Sequence, residues 1–184
     1  IQLPEVYKRQ WSGYTYLGNL GSAVQNVSFF ERRQTDAHWL VQSFYPYIQM
    51  HQKHVYYNTK SPFTRFHFVT SGGGTEYFTF EHTQNVNNNV NLGLQYEIFT
   101  ADGFLIFNET RNRNFSFWTD IDYLKYKARA SVNFNGLKVN ENGGIRSDYL
   151  LADTSLRMQE INVKLTGAKN HFKYFSGAID HQLR

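Results

Sequence analysis

Residues 114–135, NFSFWTDIDYLKYKARASVNFN, alternate on both sides of a short turn at Leu124 and Lys125. One set is Phe115, Phe117, Thr119, Ile121, Tyr123, Tyr126, Ala128, Ala130, Val132 and Phe134. The other is Asn114, Ser116, Trp118, Asp120, Asp122, Lys127, Arg129, Ser131, Asn133 and Asn135. A period of two means a strand with two unlike faces. With the turn at 124–125, Asp122 lies opposite Lys127 and Asp120 opposite Arg129, so opposite charges meet across the strands. Each arm is about ten residues, enough to cross a bilayer when tilted. An oily face with aromatic ends backed by a charged face suits a transmembrane barrel hairpin, with lipid on one side and water on the other.

The rest of the chain is weighed against that hairpin. At 184 residues it is long enough for one ordinary domain. Its mean hydropathy is −0.55, and no apolar run approaches the roughly 20 residues of a membrane helix. This excludes a helical span but not a barrel, whose strands hide half their residues from lipid. The 16 Phe and 13 Tyr fit strands and interfacial girdles, or an aromatic-rich soluble β-sandwich. A net charge of +4 is too mild and too dispersed for nucleic acid. Cysteine is absent, so there is neither a disulfide framework nor a thiolate metal site. The chain starts at Ile1 without a signal segment and ends at Arg184 inside a strand-like stretch. It reads as part of a longer protein.

Residues 1–60 are the least periodic. We read them as an irregular segment packed on or inside the sheet, either periplasmic or plugging. Ala37, Leu40, Val41 and Phe44 have helical spacing just before Pro46, although 42–57 could equally be extended. From residue 61 the pattern is that of barrel strands. Phe66 and Phe68 oppose Arg65 and His67. Phe78 and Phe80 oppose Glu81, and Leu92 and Leu94 oppose Glu97. The 114–135 hairpin adds Phe115, Phe117, Ile121, Val132 and Phe134 to the expected lipid face. It adds Asp120, Asp122, Lys127 and Arg129 to the expected lumen face. A further strand is expected over 157–166, with Ile161, Val163 and Leu165 toward lipid and Glu160 and Lys164 toward the lumen. A last strand over 171–183 has no settled facing. Short turns at 84–89, 124–125 and 167–170 then alternate with longer loops at 101–113 and 136–156, the bacterial outer-membrane pattern of periplasmic turns and external loops. The short connection at 71–74 is the exception. About seven antiparallel strands in a meander result, an all-β chain.

Tyr16–Ser22 (YLGNLGS), Tyr57–Thr64 (YNTKSPFT), Glu81–Val86 (EHTQNV), Asp102–Phe104 (DGF) and Glu141–Ile145 (ENGGI) resemble, in that order, the putative porin family of Bacteroidetes outer membranes. The resemblance runs over most of the chain. It implies an outer-membrane β-barrel with a pore or structural role, several times longer than 184 residues, and carries no catalytic residues. Seven strands cannot close an even-numbered barrel, so either the rest of the barrel is missing from this sequence or other strands complete the wall.

The residues themselves offer little chemistry. His51 and His54 are three apart, but solvent-facing histidines are a better reading than a metal pair. His67 and Glu81 share the lumen side by default. Asp120 and Asp122 have the look of paired carboxylates, yet Lys127 and Arg129 neutralise them. No GxSxG elbow occurs, and Gly72–Gly74 lacks the lysine of a phosphate loop. Asn140–Gly144 lacks the acidic density of a calcium loop. The expectation is a non-enzymatic outer-membrane barrel without cofactor or metal, with outer-membrane lipid as its partner, other envelope proteins as candidate partners, and no nucleic acid. Small solutes diffuse passively through its polar lumen. The alternatives are a non-conducting structural barrel subunit of a larger complex and a soluble carbohydrate-binding β-sandwich.

Overall fold

The structure, a computed structural model, describes residues 14–16, 18–27, 39–71, 74–147 and 157–183. A short hairpin comes first, β1 (Tyr14–Tyr16) with β2 (Val24–Asn26). Turns of 3₁₀-helix follow over Trp39–Tyr47 and His51–Lys53. Six strands then form one antiparallel meander: β3 (Phe63–Ser71), β4 (Thr75–Asn87), β5 (Val90–Ala101), β6 (Thr110–Tyr123), β7 (Tyr126–Glu141) and β8 (Ala168–Leu183). This sheet is an open stretch of antiparallel transmembrane barrel wall, with β3 and β8 at its edges.

The two-residue turn at 124–125 sets the register expected from the charges. Asp122 pairs with Lys127 and Asp120 with Arg129, and their side chains meet at 3.5 and 3.3 Å. Leu124 takes a left-handed φ of 52° to close this turn. At the β4–β5 turn, the Asn89 N–H donates to Asn87 Oδ1 at 2.8 Å, the local side-chain bond that suits asparagine to tight turns.

Three sequence expectations need correction. The stretch 157–166 is not a strand. It holds a 3₁₀ turn at Met158–Glu160 and a single bridge from Val163 to Ile145. Ile161 and Val163 are buried at 2% and 6% exposure, so neither faces lipid. Glu160 and Lys164 are exposed on a connection rather than inside a lumen, and Leu165 lies exposed beside them. Apolar alternation over so few residues fits a packed loop as well as a strand. The loop is anchored by the N–H groups of Lys164 and Leu165 donating to Gly144 and Asn142 carbonyls. The second correction follows from the first. Without that strand, 167–170 is no hairpin turn but lies at the end of the long β7–β8 connection. The ends of β3, β5 and β7 at Ser71, Ala101 and Glu141 then share one end of the sheet, and the turns at 88–89 and 124–125 the other. The third is length. β6 begins at Thr110, so the first long loop is shorter than the expected 101–113, while β7 runs to Glu141 and β8 begins at Ala168, so the second starts later than 136 and is longer than expected.

The expected helical stretch becomes 3₁₀-helix, with Pro46 inside it. Proline has no N–H to give to an α-helical ladder. Ala37 lies outside the described residues.

Strand alternation divides the sheet into two faces. The inward face carries the even positions of β6 and the odd positions of β7, and Val24, Phe44, Tyr47, His51 and His54 of the preceding segment pack against it. Near the long-loop end it is apolar: Val24, Phe44 and Tyr47 pack on Tyr77, Phe99, Leu137 and Val139. Trp118, 1% exposed, lies over Gly93, where an added Cβ would fall within the indole. The outward face keeps Phe66, Phe68, Phe115, Phe117, Val132 and Phe134 exposed. A registered aromatic row crosses all six strands: Phe66, Phe80, Tyr96, Phe115, Phe134 and Phe175. β8, whose facing the sequence left open, turns Phe175, Ile179 and Leu183 outward.

Candidate functional site: the polar inner face

Side chains on the inward face grip the backbone of residues 47–59. Asn112 and Asn114 both donate from Nδ2 to the Tyr47 carbonyl, at 3.1 and 2.9 Å. Directly opposite Asn114 on β7, Asn135 makes a two-way contact. Its Oδ1 accepts from the Gln49 N–H at 2.7 Å, and its Nδ2 donates to the Gln49 carbonyl at 3.1 Å. Asn85 Oδ1 accepts from the Thr59 N–H at 3.3 Å. A primary amide offers a donor and an acceptor in one plane, as a peptide unit does, so an asparagine-lined sheet can hold an irregular segment in place of a neighbouring strand. The amides answer a physical need, because buried backbone groups without partners are costly.

The two histidines dock on the same face. His51 Nδ1 lies 2.8 Å from Ser131 Oγ, and Nε2 2.5 Å from Asp180 Oδ2. His54 Nε2 lies 2.6 Å from Asn133 Oδ1, and its ring stacks on Trp118 at 5.0 Å. Burial lowers the pKa of His54 from its ordinary value. The Asn133 hydrogen bond opposes this, and nearby His51 adds to it. Neither histidine is the free, solvent-facing group expected from spacing. Arg129 sits 4.6 Å over the Tyr56 ring. Burial raises the Tyr56 hydroxyl pKa, and burial together with the Glu81 charge raises that of Tyr57.

The sequence-predicted lumen residues of the six strands share this face, but they do not share one environment. Arg65 Nη2 approaches Glu81 Oε2 at 2.6 Å, and the Tyr57 hydroxyl donates to Glu81 Oε1. His67 packs edge-on against Tyr77. Glu97 accepts from Asn114 Nδ2 at 3.0 Å and from the Tyr77 hydroxyl at 3.2 Å. Glu81 and Glu97 are each 4% exposed, so these two are closed off from bulk water. The Asp120–Arg129 and Asp122–Lys127 pairs, toward the short-turn end, remain accessible. The site therefore grades from a sealed apolar core at the loop end, through an amide band, to an open charged end.

Sequence reasoning overlooked the amide band as a binding surface. Asn114, Ser131, Asn133 and Asn135 stood in the polar set of the hairpin, and their short uncharged side chains were the available signal. Asn112 fell in a predicted loop, yet it is 1% exposed inside β6. Among the described residues, no group of three or more His, Cys, Asp or Glu is placed to hold a metal ion.

No curated protein and no solved structure matches the chain. A family described as "Putative porin" matches residues 2–184. With an antiparallel sheet that is exposed and aromatic outside and polar inside, the chain is a porin-like outer-membrane β-barrel protein, and it belongs to the putative porin family.

Proposed function

We propose that the protein is a passive, non-enzymatic conduit for small solutes. Residues 43–60 act as an inner lining that narrows its lumen. The observation that carries this reading is the gradation of the inward face. A purely structural wall would have no reason to keep paired charges open at one end, whereas a pore needs polar, water-exposed side chains along its path. Arg65, Asp120, Asp122, Lys127 and Arg129 would then act on passing solutes by charge. The long-loop end faces outside the cell and the short turns the periplasm.

A second reading has its own support. Glu81, Glu97 and Asn133 are buried beneath the segment, as in a barrel that is filled and conducts nothing. Single-channel recording on the full-length protein in planar bilayers separates the two. A conduit gives discrete conductance steps that change when Asp120→Asn and Arg129→Gln are combined. Silent bilayers with correctly inserted protein favour the structural subunit. The β-sandwich alternative has less support, since the only other described sheet is a hairpin of three-residue strands.

A further inference from the structure

At the long-loop end of the outward face the apolar band stops at a group of basic side chains. Arg111 and Arg113 on β6, Lys138 on β7, and Lys169, His171 and Lys173 on β8 all point outward and are exposed. Their arrangement is unfavourable for an isolated sheet. Arg111 lies directly opposite Lys138, and Lys138 directly opposite His171. The Arg111–Lys138 pair sets like charges facing each other across strands, which is destabilising. None of the six has an ion-pair partner among the described residues, whose ion pairs lie elsewhere on the sheet. Of the neighbouring carboxylates, Glu109 accepts a hydrogen bond from Asn140, Glu141 accepts one from Asn170, and Glu76 lies two strands away from Arg111 in register.

The basic side chains surround a gap. The next row toward the membrane centre is Arg113, Gly136, Lys173. Gly136 has no side chain, and a Cβ placed there would meet only the Arg113 carbonyl, at 3.8 Å. Two strand spacings put Arg113 and Lys173 about 10 Å apart, with Lys138 above the opening between them. Directly below lie the Phe115, Phe134 and Phe175 rings, with Phe134 at 4.9 Å from Phe175. The height is also right. From Tyr126 at the turn end to Lys138 is about 40 Å of strand, or about 30 Å of height at barrel tilt, close to the thickness of the hydrocarbon core.

We propose that this notch is a docking site for the phosphate of a membrane lipid headgroup in the leaflet at the long-loop end. Arg113, Lys138 and Lys173 contact the phosphate, and the acyl chains run down over the phenylalanine row. Arginine and lysine bind phosphate through charge-assisted hydrogen bonds, and the headgroup relieves the Arg111–Lys138 repulsion. This rests on the outward face meeting lipid, but not on whether the barrel conducts.

The test uses full-length protein reconstituted into phosphatidylcholine vesicles that carry spin-labelled phosphatidic acid or spin-labelled phosphatidylcholine. The readout is the fraction of each label slowed by contact with the protein. The anionic label should associate several-fold more strongly than the zwitterionic one. The preference should fall to near one in Arg113→Gln/Lys138→Gln/Lys173→Gln, and Lys125→Gln at the turn end should leave it unchanged. A wild-type ratio near one, or a ratio that survives the triple substitution, overturns the proposal. So does millimolar binding of inorganic phosphate by the protein in non-ionic detergent that the triple substitution abolishes while the lipid ratio stands, since the notch would then serve free phosphate. Absence of any slowed lipid would remove the lipid-facing reading itself, an outcome distinct from slowed lipid without anionic preference.

Discussion

Asn135→Ala should release residues 47–59 from the sheet far more than Asn112→Ala. Asn135 is 8% exposed and satisfies both backbone groups of Gln49. Truncating it leaves a half-buried N–H and C=O without their partners. An orphaned buried group costs about 1–3 kcal/mol, so the pair should weaken docking by about 2–4 kcal/mol. That is roughly thirtyfold to several hundredfold in the docking equilibrium. Asn112 differs in one respect: the Tyr47 carbonyl it bonds also accepts from Asn114. Its loss leaves an acceptor that still has a donor, and the cost should be nearer 1 kcal/mol. Hydrogen exchange of the 47–59 amides in the full-length protein reads both variants, with thermal unfolding as a check that the sheet is intact. Loss of protection in Asn135→Ala confined to this segment is the expected result. Equal protection in the two variants, or a larger loss in Asn112→Ala, would refute the view that asparagine amides hold the segment.

Three further outcomes follow from particular contacts. Gly93→Ala places a methyl in the space of the Trp118 indole and should cost about 1–3 kcal/mol by overpacking. Denaturant unfolding measures it, and an unchanged midpoint would mean that Trp118 is free to move. Leu124→Gly removes the left-handed strain of an 83% exposed residue and should raise stability by about 1 kcal/mol, read from the same unfolding curves. Burial lowers the pKa of His54, so the undocked segment takes up its proton first. Docking is therefore fully supported above the ordinary value of 6.5 and weakens as pH falls below it. Exchange protection should drop in that window in the wild type and much less in His54→Gln.

The hairpin was legible because its period, its charges and its turn agree. Asp120 with Arg129 and Asp122 with Lys127 allow one register, and the sheet adopts it. Phe115, Phe117, Val132 and Phe134 stand on the face that alternation gave them. Ile161 and Val163 misled because alternation over so few residues also arises where a loop tucks two side chains into the protein. The true continuation, Ala168–Leu183, mixes Lys and His with Phe on its outward side, so its period carries no clear polarity contrast. The cationic notch is of the same kind. Lys173, Gly136 and Arg113 are far apart in sequence, and only the pairing of β6, β7 and β8 brings them into one row. The contacts of residues 47–59 with the inner face were not legible in the sequence. Irregular backbone held by side-chain amides leaves no periodic trace in sequence.

The central claim is that the outward face meets lipid and the inward face does not. Spin labels at Val132 and Arg129 of the full-length protein in bilayers test it directly. Val132 is outward and mid-strand, and Arg129 is inward at the open charged end. Oxygen, which concentrates in hydrocarbon, should collide with the label at Val132 much more often than a water-soluble nickel chelate does. The order should reverse at Arg129. More frequent chelate collisions at Val132 than at Arg129 would contradict the account.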